Sequence, residues 1–133
     1  QTLYASFAFI PPDRKVFYSG DGGYDGRFKR IGDQFGGFDL ALLEDGQYNE
    51  NWASVHMMPE ETAQAAVDLR AREVVPCHNG KYPLSMHDWD EPYKRIVAAS
   101  AGKDYYLATP EIGQVVRIGD TQQTFTHWWE QMR

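Results

Sequence analysis

A chain of 133 residues with 42% hydrophobic and 14% aromatic content can bury a real core and is too apolar to be disordered. Its formal charge of −6 argues against nonspecific nucleic-acid binding, which draws on basic residues grouped on one face. No apolar run approaches the roughly 18 residues of a membrane span, no leader pattern is visible, and a lone thiol, Cys77, excludes an internal disulfide framework and points to a reducing, cytoplasmic setting.

In chain order, "LYASFAFI" (3–10) and "KVFYS" (15–19) are rich in aromatic and β-branched residues and are joined by the turn signal "PPDR", which predicts a hairpin. "YDGRFKRIGDQFG" follows, with Phe28, Ile31 and Phe35 on one face of a short helix over 24–35 that Gly36 and Gly37 close. "FDLALLE" (38–44) predicts a buried strand. "PEETAQAAVDLRA" predicts a second helix, opened by Pro59 and two acids, with Ala63, Ala66, Val67 and Leu69 inward. "EVVPCHNG" (73–80) predicts a third buried strand running into a loop, and "DEPYKRIVAASAG" (90–102) a third helix. "DYYLATP", "GQVVRIG" and "QTFTHWW" read as short closing strands, or as a strand and a terminal helix.

Strands alternating with helices give an α/β order. The strands at 38–44 and 73–77 are apolar on consecutive residues, as a sheet covered on both faces requires. Three helices suffice for one face. The other face therefore calls for a partner outside this sequence, or for self-association through the uncovered face.

Two polar residues stand just past the ends of buried strands: Asp21, in "SGDGGY", and His78, after "VVPC". Open α/β sheets gather ligands beyond their strand ends, and carboxylate and imidazole are donors that Zn, Mn or Fe accept. The flanking Gly20, Gly22 and Gly23 allow the backbone turns that aim Asp21, and His56 lies in a loop that could reach the same crevice. Each has a plainer reading: Asp21 bonding the N–H groups of its own turn, His56 capping the following helix, His78 sitting in an ordinary turn. His87 and His127 read as surface histidines, Cys77 as a small core residue, and Trp128 and Trp129 as terminal packing.

Taken together, "SGDGGYDGRFKRIGDQFGGFDLALLEDGQY" and "HMMPEETAQAAVDLRAREVVPCHNG" resemble the C-terminal half of metallo-β-lactamase-fold hydrolases. The branch most alike contains N-acyl-phosphatidylethanolamine phospholipase D, with L-ascorbate-6-phosphate lactonase further off. The resemblance covers about residues 2–120 and rests on a GD-x-GY turn, the "FDLALL" strand, an HM-x-PEE helix start and a P-x-H-x-G strand end, in the family's order. It implies one domain over 1–133: the second half of an αββα sandwich, a mixed sheet with helices on one face. It further implies that Asp21 bridges two metal ions, zinc or else Mn or Fe, that His78 ligates one of them, and that His56 contacts substrate. Asp21 and His56 would thus be the catalytic residues and Asp21 and His78 the metal ligands.

The family's H-x-H-x-D-H motif is absent from this sequence, whose four histidines are His56, His78, His87 and His127. Gly22 stands where Thr or Ser is common and Asn79 where Trp is common. With the start at Gln1 instead of Met, this reads as a fragment or processed product that carries part of an active site and lacks the N-terminal half. The expected activity is hydrolysis of a phosphodiester, lactone or other small-molecule ester by water that the metals activate. The isolated chain is expected to be inactive and to hold metal weakly. The alternatives are a non-catalytic module that pairs with another chain and a metal-free small-molecule binding domain.

Overall fold

The computed structural model describes residues 4–132. It begins with the expected hairpin: β1 (Phe7–Phe9) and β2 (Val16–Tyr18) pair antiparallel, with Phe7 opposite Tyr18. The predicted strand over 3–10 includes Leu3, which lies outside the described residues. α1 (Arg27–Phe35) follows and ends at Gly36, whose N–H caps the Gly32 carbonyl. β3 (Phe38–Glu44), α2 (Pro59–Asp68) and β4 (Ala71–Cys77) form the centre, and α3 (Glu91–Ser100) and β5 (Tyr106–Leu107) complete the regular elements. The sheet runs β1-β2-β3-β4-β5, parallel throughout except for the hairpin. It is the mixed sheet that the sequence predicts.

Side-chain alternation along this sheet divides the core in two. Phe17, Ala41 and Val74 are in register across three strands and pack with Phe28, Ala65, Ala66 and Leu69 of the α1 and α2 region. Each large side chain buried there contributes about 1.5–3 kcal/mol of transfer free energy. Leu40, Val75 and Ala108 face the other way, beneath Val116, Ile118 and Phe125. The second face thus receives part of its cover from the chain's own C-terminal segment, which corrects the expectation that the three helices are the chain's whole cover. Arg14 donates to the Ile118 carbonyl at 2.8 Å and Tyr106 to that of Gln123 at 2.8 Å, tying this segment down.

What stays open is the hairpin edge, where Phe7 is 53% and Phe9 56% exposed. A strand at 113–119 does not form: among the described residues that stretch is turns and irregular chain, and the terminal helix is the single 3-10 turn Trp128–Gln131. α2 ends at Asp68, two residues before Arg70 takes a positive φ, and it buries Ala65 while leaving Val67 43% exposed, the reverse of the expected inward Val67. α3 is fastened to α2 by Arg95, which donates to both carboxylate oxygens of Glu60 at 3.0 and 2.6 Å. Tyr93 of α3 stacks on Trp129 at 4.6 Å, so the tryptophan pair serves as terminal packing.

Candidate metal centre

Three parallel strands end side by side, and their next residues share one edge of the sheet. After β2 come Ser19, Gly20 and Asp21; β3 ends on Glu44 with Asp45 behind it; β4 ends on Cys77 before His78. The ends are locked together: Ser19 N–H donates to the Leu42 carbonyl at 3.0 Å, Glu44 N–H to Ser19 Oγ at 2.9 Å, and Asp45 N–H to the Cys77 carbonyl at 2.9 Å. Gly20 makes its turn at φ +70°, which carries the chain from the strand to an exposed Asp21.

The first turn of α2 is pinned to the same edge by Thr62, whose hydroxyl donates to the Glu44 carbonyl at 2.7 Å. That contact brings the preceding loop, and His56 with it, over the end of β3. Glu44 meets His56 Nδ1 through Oε1 and accepts the Met57 N–H through Oε2 at 2.9 Å. The His56 ring lies near-parallel to that of His78, 27° apart with centroids at 5.4 Å. Donor atoms of Glu44, His56 and His78 all lie within 4.8 Å of one another.

Burial dominates the electrostatics. The Glu44 carboxyl, fully buried, is pushed up to about 8 by desolvation; the Met57 N–H opposes the rise and the charge of Asp21 adds to it. Burial holds the His56 imidazole below its ordinary value, the charge of His78 adds to that, and Asp21 opposes it. Asp21 itself is exposed on the turn that follows β2.

Asp45 is buried completely, and burial next to Glu44 holds it well above the usual carboxylate range. Its Oδ2 has only the Asn79 amide, at 3.5 Å, and Oδ1 has no partner. Beside it, a Cβ on Gly46 would sit 2.2 Å from the His78 carbonyl oxygen, so only glycine lets this segment press against β4's end. Gln47 reaches the same carbonyl at 3.4 Å, while His78 turns at φ +65°. Residues 45–47 are thus a backstop for His78.

Of the residues expected from sequence, the structure gathers His56 and His78, with Glu44, leaves Asp21 outside that cluster on the exposed turn after β2, and sets the other histidines apart. His87 stacks on Tyr48 at 4.3 Å and His127 on Trp129 at 4.9 Å. Cys77 is half-buried against Leu40 and Val75, with its thiol pushed up to about 11 by burial. Glu44 and Asp45 were missed by the sequence reading. Their signal was the acid pair closing "FDLALLED", at the same strand-end position as Asp21 and His78.

The Beta-lactamase superfamily domain matches residues 1–79. The chain belongs to this superfamily. It is 60% identical over 81 residues to the outer membrane protein RomA of Klebsiella pneumoniae, spanning 61% of each chain. With the N-acyl-phosphatidylethanolamine-hydrolyzing phospholipase D 1 of Caenorhabditis elegans it is 30% identical over 126 residues, 89% of this chain and 35% of the relative. The chain thus spans about a third to three fifths of the lengths of these relatives. In the solved structures, a metallo hydrolase from Ignicoccus hospitalis shares the fold at a TM-score of 0.58 and 24% identity, over 80% of this chain and 42% of that one. A protein of Pyrobaculum aerophilum named as a metal-dependent hydrolase is 31% identical over 112 residues, 84% of this chain and 46% of that one, and two imidazoles with a carboxylate at one sheet edge are a donor set that a divalent metal accepts.

Proposed function

We propose that the chain is the C-terminal part of a zinc-dependent hydrolase acting on a phosphodiester, lactone or other ester, with Asp21 and His78 holding metal and His56 contacting the reacting group. What supports this reading above all is the convergence of Glu44, His56 and His78 within 4.8 Å at a strand-end edge of a beta-lactamase superfamily domain. The bound metal would polarise the ester oxygen and make water acidic enough to attack near neutral pH. Asp21, exposed on its turn, offers a carboxylate to bridge two ions, and His78 is held toward the edge by the 45–47 backstop. His56 presents an imidazole against the His78 ring.

These are fewer protein ligands than a zinc site normally holds. The remaining ligands would come from the rest of the protein, docked against the open hairpin edge at Phe7 and Phe9, or a second copy would take that edge. The chain by itself would bind metal weakly and turn over slowly. A reducing, cytoplasmic setting suits its single thiol.

The test is metal analysis of the intact protein with hydrolysis assays on a phosphodiester, a lactone and a carboxylic ester, with and without chelator. Stoichiometric metal, chelator-sensitive turnover, and loss of both in Asp21→Ala and His78→Ala at unchanged thermal stability are expected. Full turnover in metal-stripped protein, or in Asp21→Ala, would sink the reading.

A further inference from the structure

Glu44 is the residue of this site whose own chemistry the proposed hydrolase does not use. It is also fully enclosed, at 0% exposure. All its polar atoms have partners inside the chain: N–H on Ser19 Oγ, carbonyl on the Thr62 hydroxyl, Oε2 on the Met57 N–H, Oε1 on His56 Nδ1. Both carboxyl oxygens therefore point into protein, toward the loop that carries His56.

His56 needs such a hold. It sits in a loop, just after the turn Glu50–Trp52, and its backbone N–H makes a 3.3 Å bond to the Trp52 carbonyl. Stacking on His78 sets the plane of the ring but not which edge faces inward. The contact at Nδ1 sets the edge. An imidazole with one nitrogen engaged has a single nitrogen left to offer, and which one is decided by the partner of the other.

We propose that Glu44 is a positioning residue for His56: it engages Nδ1, fixes the ring's rotation, and leaves Nε2 as the one ring nitrogen presented to substrate or water at the strand ends. What Nε2 then does rests on the proposed hydrolase; the hold on the ring does not. A fully buried carboxyl is otherwise a cost to the fold, and with Oε1 on the ring its retention is explained by the imidazole it orients.

Long-range proton–nitrogen spectra of the intact protein labelled with 15N-histidine test the hold directly, with His56 assigned by its disappearance in His56→Asn. The expected result is a hydrogen-bonded Nδ1 in the wild type and a displaced Nδ1 signal in Glu44→Gln, whose carbonyl takes the Met57 N–H and leaves the ring only a weaker neutral amide N–H in place of the carboxyl oxygen. Metal content should be unchanged in Glu44→Gln, kcat lower by about 10–100-fold, the usual loss on removing an outer partner, and KM nearly constant. The double variant Glu44→Gln/His56→Gln should be no slower than His56→Gln alone, because the two groups act as one unit.

A wild-type Nδ1 with the shift and solvent exchange of a free imidazole would overturn the proposal, and so would loss of metal from Glu44→Gln in step with activity, which would make Glu44 a ligand. The wild-type spectrum decides even if Glu44→Gln does not fold. An intact protein that binds metal, hydrolyses nothing and yet shows the bonded Nδ1 would overturn the hydrolase reading and leave the positioning role standing.

Discussion

The helix-side core and the strand-end edge lie on the same strands and are built on opposite rules. In the core, Phe17, Ala41, Leu43, Leu69 and Val74 are almost wholly buried, apolar and in mutual contact. A few residues further along β3, Glu44 and Asp45 are buried just as completely, yet are carboxyls, and one oxygen of Asp45 has no partner. Burying such groups costs free energy that apolar side chains would not. The core supplies stability, and the edge gives some of it up for a fixed set of donors.

The widest separation of the two regions comes from Leu69→Ala. Leu69 is fully enclosed at the end of α2, and truncation should cost about 2–5 kcal/mol for the lost contacts and the cavity. Denaturant unfolding measures the loss, and metal bound per folded molecule should stay at the wild-type level. A large fall in metal content without a fall in stability would erase the division between core and edge.

Gly46→Ala is the converse, a small change at the edge. The added methyl would meet the His78 carbonyl oxygen at 2.2 Å, so the backstop must shift and His78 with it. Overpacking of this kind costs about 1–3 kcal/mol, and here metal affinity in the intact protein should fall further than stability alone explains. Unchanged metal affinity, read by competition with a chelating dye, would show that residues 45–47 do not hold His78.

Asp45→Asn gives the smallest effect and sharpens the comparison by its sign. The folded-state pKa of Asp45 is raised, so its carboxyl contributes no penalty below the ordinary carboxylate range and destabilises progressively as pH rises through the folded value. The variant should match the wild type in acid and surpass it in melting temperature as pH rises. Some slope of the same sign should persist from Glu44, which is also raised. A wild-type protein whose stability climbs from pH 5 to 8 as steeply as the variant's would contradict this burial.

Most of the fold was legible before any coordinates. The hairpin, β3 and the three helices follow from apolar periodicity, from Pro59 at a helix start, and from Gly36 at a helix end, all local signals. Asp21 and His78 could be singled out because they follow apolar strands, and His56 because the HM-x-PEE helix start matches a family pattern. Glu44 was not, since an acid that closes an apolar run looks the same whether the strand stops in solvent or under a loop. Val67 was misplaced because α2's inward face is set by the crossing helix, and its alanine-rich pattern leaves the rotation open.

By itself, then, the sequence determined which stretches become strands and helices, and that polar donors would follow strands, because these depend on neighbours within a few residues. Only the tertiary structure decided that Val116, Ile118 and Phe125 cover the second face, since they lie in irregular chain, where strands were expected, held by the distant Arg14 and Tyr106. Likewise, nothing short of the folded chain could put Glu44 against His56. They are twelve residues apart in sequence, and they meet because Thr62 pins α2 to the end of β3 and draws the intervening loop over a carboxyl that has no other route to a partner.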